Sequence, residues 1–218
     1  MKGLLLKDAS VIMKETKYFF LLAVVMSLLQ NEFLFAYIVV YAATLPMAAI
    51  AYDERVKWNR MEETLPLTRA QMIGCKYIMG YISIAAAILL VFCGRLFGAV
   101  INLNAGGLPA HSNNLFSMLM ASLGAEVWFS LLIICCIALT IQAFNLPLMF
   151  WIGVERGRLL FILIIVGAAT ATVSIWEELG ENTIHLNLTL IFLIALAITI
   201  VVNLISFQVS KALYNREK

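Results

Sequence analysis

Several long apolar runs separated by short charged stretches leave this chain few folds to choose from. A run of about 20 apolar residues matches a hydrocarbon core about 30 Å thick. Inside that core every backbone N–H and C=O must be satisfied within the protein, so such runs become helices or strands of a closed barrel. Barrel strands would read as alternating segments of about ten residues, and that pattern is absent. Only 13% of the 218 residues are charged and 63% are hydrophobic, against roughly 25% charge in soluble domains. The expected class is an all-α integral membrane protein forming one transmembrane domain over 1–218.

Six spans are expected, over 18–30, 33–52, 77–101, 115–142, 159–176 and 186–209. The first is short: at ~1.5 Å per residue it reaches only about 20 Å. Before it, residues 1–17 read as an interfacial amphipathic helix. Leu5, Ala9, Ile12 and Met13 form an apolar face, and Lys7, Ser10, Lys14 and Lys17 a polar face turned toward anionic lipid. The N-terminus lacks the cleavage site of a secretory signal peptide.

Charge placement supports this count. With six spans, every basic residue except Arg95 falls on one side: the N-terminal segment, the stretch after the second span, the stretch after the fourth, and the tail. The opposite loops hold Glu32, His111, Glu177, Glu178, Glu181 and His185. The positive-inside rule then places both termini in the cytoplasm. Dropping the first span would put four lysines outside. The four cysteines, Cys75, Cys93, Cys135 and Cys136, lie in or beside apolar runs with no metal-ligand spacing. They read as small buried hydrophobes. His111 and His185 alone do not make a zinc site; Glu177 and Glu178 with His185 faintly echo an intramembrane metalloprotease but lack the remaining ligands, no Ser/His/Asp or Cys/His arrangement is legible, and nothing suggests nucleic acid.

Charge is concentrated in 53–76, which carries Asp53, Glu54, Arg55, Lys57, Arg60, Glu62, Glu63, Arg69 and Lys76. Its first half, 53–64, is expected to be a short helix with Trp58, Met61 and Leu65 as an apolar stripe. Asp53 and Glu54 suit the positive N-terminal end of that helix. Pro66 stops it by disfavouring a helical Leu65. A second helix then starts at Thr68, with Gln71 completing a capping box and Leu67 stapled to Met72. Two helical pieces joined by a firm elbow could receive force from a soluble partner and pass it to the third span.

Within the membrane, Arg95 and Glu126 stand alone. Ionisable groups at such depth face protein or water and usually have a partner. Either the two pair between helices, or Arg95 reaches the outer headgroups and Glu126 is protonated against Ser122 or Ser130. Gly94 and Gly98 beside Arg95 form a G-x-x-x-G that permits close helix approach. Glu177, Glu178 and Glu181 read as a solvated helix end.

The stretch 52–77 resembles the first cytoplasmic loop of type-2 ABC-exporter permease subunits: Leu65, Pro66, Thr68, Arg69, Lys76 and Tyr77 fall on that pattern. The opening MKGLLLKD is similar to the family's interfacial helix. Residues 144–158, with Pro147, Gly153, Glu155, Arg156, Gly157 and Arg158, resemble its second cytoplasmic loop. The likeness is nearest to small bacterial permeases that export amphipathic peptides, such as phenol-soluble modulins. It implies a bacterial plasma-membrane exporter built from two permease chains, identical or different, above two soluble ABC ATPase subunits. ATP and Mg would bind those subunits, since this chain has no phosphate-binding G-x-x-x-x-G-K-[ST] loop. It also implies that Asp53, Glu54, Trp58, Arg60, Met61, Glu62, Leu65, Pro66, Arg69, Glu155 and Arg156 form the ATPase-coupling surface. The alternative is a self-contained secondary transporter or channel, which would usually show internal repeats and broken mid-membrane helices.

Overall fold

The computed structural model describes residues 2–29, 31–58, 68–104, 125–164 and 188–214. Among the described residues are the helices α1 Lys2–Glu15, α2 Lys17–Leu28, α3 Glu32–Arg55, α4 Arg69–Asn104, α5 Ala125–Ile152 and α6 Leu188–Tyr214. Helical backbone also resumes over 154–164, and no strand occurs among the described residues. Among the described residues, four helices are long and apolar enough to cross a membrane, through Phe33–Arg55, Ala70–Gly98, Ser130–Ile152 and Leu193–Leu213. Most of the expected fifth span, 159–176, lies outside the described residues.

The expected first span is a helix of 12 residues, α2, too short to cross alone. It joins α1 through a bend at Thr16 rather than a loop. The Thr16 amide donates to the Ile12 carbonyl at 2.9 Å and its hydroxyl to the same oxygen at 2.5 Å. Ser27 of α2 lies against Gly94 of α4. Gly94 stands about 27 Å along α4 from Lys76, at ~1.5 Å per residue. The bent α1–α2 unit therefore reaches most of the way along the bundle.

α3 is the centre, packed against α1, α2, α4 and α5. Ala42, Ala43 and Ala49 are buried there, and small residues let helix backbones approach closely. The main core joins Phe35, Ile38 and Val39 of α3 to Ile84 and Val91 of α4 and Ala138 of α5. A second cluster holds Met47, Ile73, Tyr77, Leu146 and Met149. Leu21, Val25, Phe33, Leu89, Phe144, Trp151 and Leu204 are exposed. Apolar surface on this scale suits lipid, not water.

Two prolines lie inside helices, Pro46 in α3 and Pro147 in α5. Proline has no N–H, so Pro147 leaves the carbonyl four residues earlier without its helical donor. That carbonyl belongs to Ala143, and it accepts from the Ser206 hydroxyl of α6 at 2.5 Å. Tyr77 of α4 joins the same group, its hydroxyl 2.6 Å from Ser206 Oγ and 2.9 Å from Ser210 Oγ. A helix break thus becomes a three-helix polar joint. Ser206→Ala is expected to cost about 0.6–2 kcal/mol, as for other hydrogen bonds between membrane helices. The cost should shrink in a Pro147→Ala background, where residue 147 can donate to Ala143 again. A double-mutant cycle on reversible unfolding in mixed micelles measures the coupling.

The expected start of α4 is found. The Thr68 amide donates to Gln71 Oε1 at 3.1 Å, the returning half of a capping box, and α4 opens at Arg69. The Leu67 staple lies outside the described residues. Three other expectations are corrected. α3 runs on to Arg55, so Asp53 and Glu54 end a long helix instead of opening a short one. Lys57, at φ 51, marks the break. α5 continues to Ile152 instead of stopping at 142, and 144–152 is helix rather than loop, with the turn confined to Gly153 at φ +83. Glycine takes that left-handed conformation without steric cost. On α1 the buried side is Leu4, Asp8, Val11, Ile12 and Thr16, while Met13 is exposed. The inward face is thus rotated from the expected one.

Candidate functional site

The inward face of α1 carries an acid. Asp8 lies one turn after Leu4 and one turn before Ile12, and it is 0% exposed. A carboxylate buried that deeply must be paired, because desolvating an ion costs several kcal/mol. Its partner is Lys76 of α4: Nζ lies 2.9 Å from Asp8 Oδ1 and 2.7 Å from Asp53 Oδ2. Lys7 closes the group, 2.5 Å from Asp53 Oδ1 and 3.5 Å from Asp8 Oδ1. The same ammonium lies 4.2 Å above the Trp58 ring, a favourable cation–π placement. Two carboxylates and two ammoniums balance, and they join α1, the last turn of α3 and the second turn of α4.

This geometry overturns the outward role expected of Lys7, whose ammonium turns inward. It also takes Asp53 off the surface, because Asp53 is 5% exposed. Glu54, the next residue, faces the other way and stays exposed. Its carboxylate accepts the Val154 amide at 3.1 and 3.4 Å. Val154 opens the helical stretch after Gly153, where free N–H groups and a positive dipole end favour an anion. The end of α3 and the Gly153 turn are therefore held together. Between them lies a polar hollow of about 350 Å³ lined by Glu54, Arg55, Val154, Glu155 and Arg158. Glu155, Arg156 and Arg158 are exposed around it.

Of the expected coupling residues, the structure gathers Asp53, Glu54, Trp58, Glu155 and Arg156 at one end of the bundle. Arg60, Met61, Glu62, Leu65 and Pro66 lie outside the described residues. Arg69 opens α4, but its side chain is outside them as well. At the far end of α4, the Arg95 guanidinium lies 4.7 Å above the Phe35 ring. Glu126 is in the first turn of α5, with its side chain outside the described residues, so the expected Arg95–Glu126 pair is outside them too. Gly94 packs on α2 of its own chain. Asp8 was missed from sequence. Its signal was an acid interrupting apolar positions four residues away on either side.

Helices with apolar outer faces, bound at one end by buried charge, define a multi-pass helical membrane protein. The chain belongs to the ABC-2 family transporter proteins, whose family model matches residues 3–215. It is a multi-pass protein of the plasma membrane and the membrane component of an ABC transporter. Comparison with curated proteins and with solved structures gave no match.

Proposed function

We propose that this chain is the permease subunit of an ATP-driven exporter. It pairs with a second permease chain and couples to separate ABC ATPase subunits through the charged end of the bundle, which faces the cytoplasm. The observation that carries this reading is the Glu54 carboxylate on the Val154 amide. It brings two stretches 100 residues apart into one exposed, charged surface beneath the helices. A soluble partner could engage both at once, and neither would move alone. Membership of the ABC-2 family supplies the class of partner.

The substrate proposed is amphipathic or hydrophobic, such as a peptide. Supporting it is a groove of about 560 Å³ between α4 and α6, walled by Ile78, Ile200, Leu204 and Phe207. The Tyr81 hydroxyl donates to Asn203 Oδ1 there at 3.1 Å. Apolar walls with one polar pair suit a molecule with both kinds of surface.

Purifying the tagged chain from its native membrane in mild detergent tests the proposal. The expected result is a soluble ATPase in stoichiometric amount, lost when Glu62→Lys and Arg69→Glu are combined. A homo-oligomer that transports without any ATPase would overturn it and leave a self-contained carrier.

A further inference from the structure

From the buried charges we infer that α1 is a positioning element for the coupling surface, tied to both ends of the charged stretch through Lys7 and Asp8. This rests on the proposed function and adds a moving part to it. The tie is made by two adjacent residues of α1. Asp8 holds Lys76 on α4, just after the stretch re-enters the bundle. Lys7 holds Asp53 at the end of α3, and its ammonium covers Trp58 where the stretch leaves. Lys76 also bonds Asp53 directly, so exit and re-entry are joined to each other and to α1. The helix cannot follow one end without the other.

Packing alone does not call for this arrangement. Leu4, Val11 and Ile12 already bury the inner face of α1, and an apolar side chain at position 8 would extend that face with no desolvation penalty. What a buried ion group adds is direction. Its hydrogen bonds fix one register, where apolar surfaces can slide, and setting register is the best-attested use of buried polar groups. Asp8, Lys76 and Asp53 therefore act as positioning residues. Motion imposed on the 53–76 stretch reaches α1, and through the bend at Thr16 it reaches α2. On the outer side of α1, Leu6 and Met13 are exposed and would carry that motion to the lipid interface.

The test uses the purified complex of this chain with its ATPase subunit. Amide hydrogen exchange is compared between the nucleotide-free complex and one trapped with Mg-ADP and vanadate. In the wild type, trapping should change exchange in peptides from 53–58 and 68–76, and also across 2–15. Lys7→Met combined with Asp8→Ala cuts both ties to α1 but keeps the Lys76–Asp53 pair. It should abolish the response of 2–15, with the response of the other peptides and the bound ATPase retained. A second variant replaces the ionic tie with a covalent one. Cys75 Sγ lies 4.0 Å from Asp8 Oδ2, so Asp8→Cys, combined with Lys7→Met and with Cys93, Cys135 and Cys136 changed to alanine, places a thiol beside Cys75 for oxidation to a disulfide. Oxidation should restore the response of 2–15 and reduction should remove it again. A wild-type α1 that ignores trapping, or an α1 carrying both Lys7→Met and Asp8→Ala that responds as fully as the wild type, overturns the inference. Absence of any bound ATPase would overturn the proposed function, and this inference with it.

Discussion

Lys76→Met is expected to destabilise the chain by about 3–5 kcal/mol, the usual loss when one partner of a buried ion pair is removed. Methionine nearly matches lysine in length, so packing changes little. What changes is charge. Asp8 and Asp53, both almost fully buried, lose the ammonium they share at 2.9 and 2.7 Å. Lys7 remains, but it lies 3.5 Å from Asp8 and already serves Asp53. Two carboxylates would then share one ammonium, so one of them must take a proton or draw in water. Reversible unfolding in mixed micelles should show the loss. Replacing Asp8, Asp53 and Lys76 together by leucine is the informative control. Apolar replacement of a whole buried ion group is often neutral or stabilising by 1–4 kcal/mol, and Lys7 can extend to the headgroups. The triple variant should therefore recover most of the stability lost in Lys76→Met. A single variant as stable as the wild type would mean that the buried charges do not depend on Lys76.

Gly94→Ala should cost about 1–3 kcal/mol by overpacking. A Cβ there would meet Ser27 Cβ and Oγ at 2.6 Å and the Ser27 carbonyl oxygen at 2.7 Å. A flexible side-chain tip could swing aside, but backbone cannot, so α2 itself must move. The short α2 has little to hold it: only Ala23 and Ser27 are buried along its described length. The displacement should raise proteolysis or labelling near 17–28 as well as lower the melting temperature. Gly74→Ala is the matched control, because its Cβ would meet nothing closer than Phe207 at 4.0 Å. That change should be neutral or slightly stabilising, since alanine favours helix. Equal effects at the two glycines would show that Gly94 does not set the α2–α4 distance.

Local and composition-driven features were legible in the sequence. Thr68 and Gln71 start a helix whatever surrounds them, because the bonds run between residues three apart. The described end of α3 and the turn at Gly153 do meet at one end of the bundle, as expected of charges that prefer water while the runs between them prefer lipid. The pattern of 53–64 failed as a guide. Asp53 and Glu54 look like an N-terminal acidic pair, yet one is buried against two lysines and the other caps a turn 100 residues away.

The sequence by itself determined that this is a helical membrane protein, which stretches carry the charge, and where α4 starts. Hydrophobic length and short-range hydrogen bonding decide those things, and both are properties of adjacent residues. Only the tertiary structure decided which way each helix faces. A one-residue error turns a helical face by about 100°, enough to exchange Met13 for Ile12 or Glu54 for Asp53. The pairing of Asp8 with Lys76 spans 68 residues. It exists because α1, α3 and α4 pack in one rotation that buries opposite charges together. No local pattern contains that rotation: it is set by the summed packing of the apolar faces, and the buried charges then hold it in register.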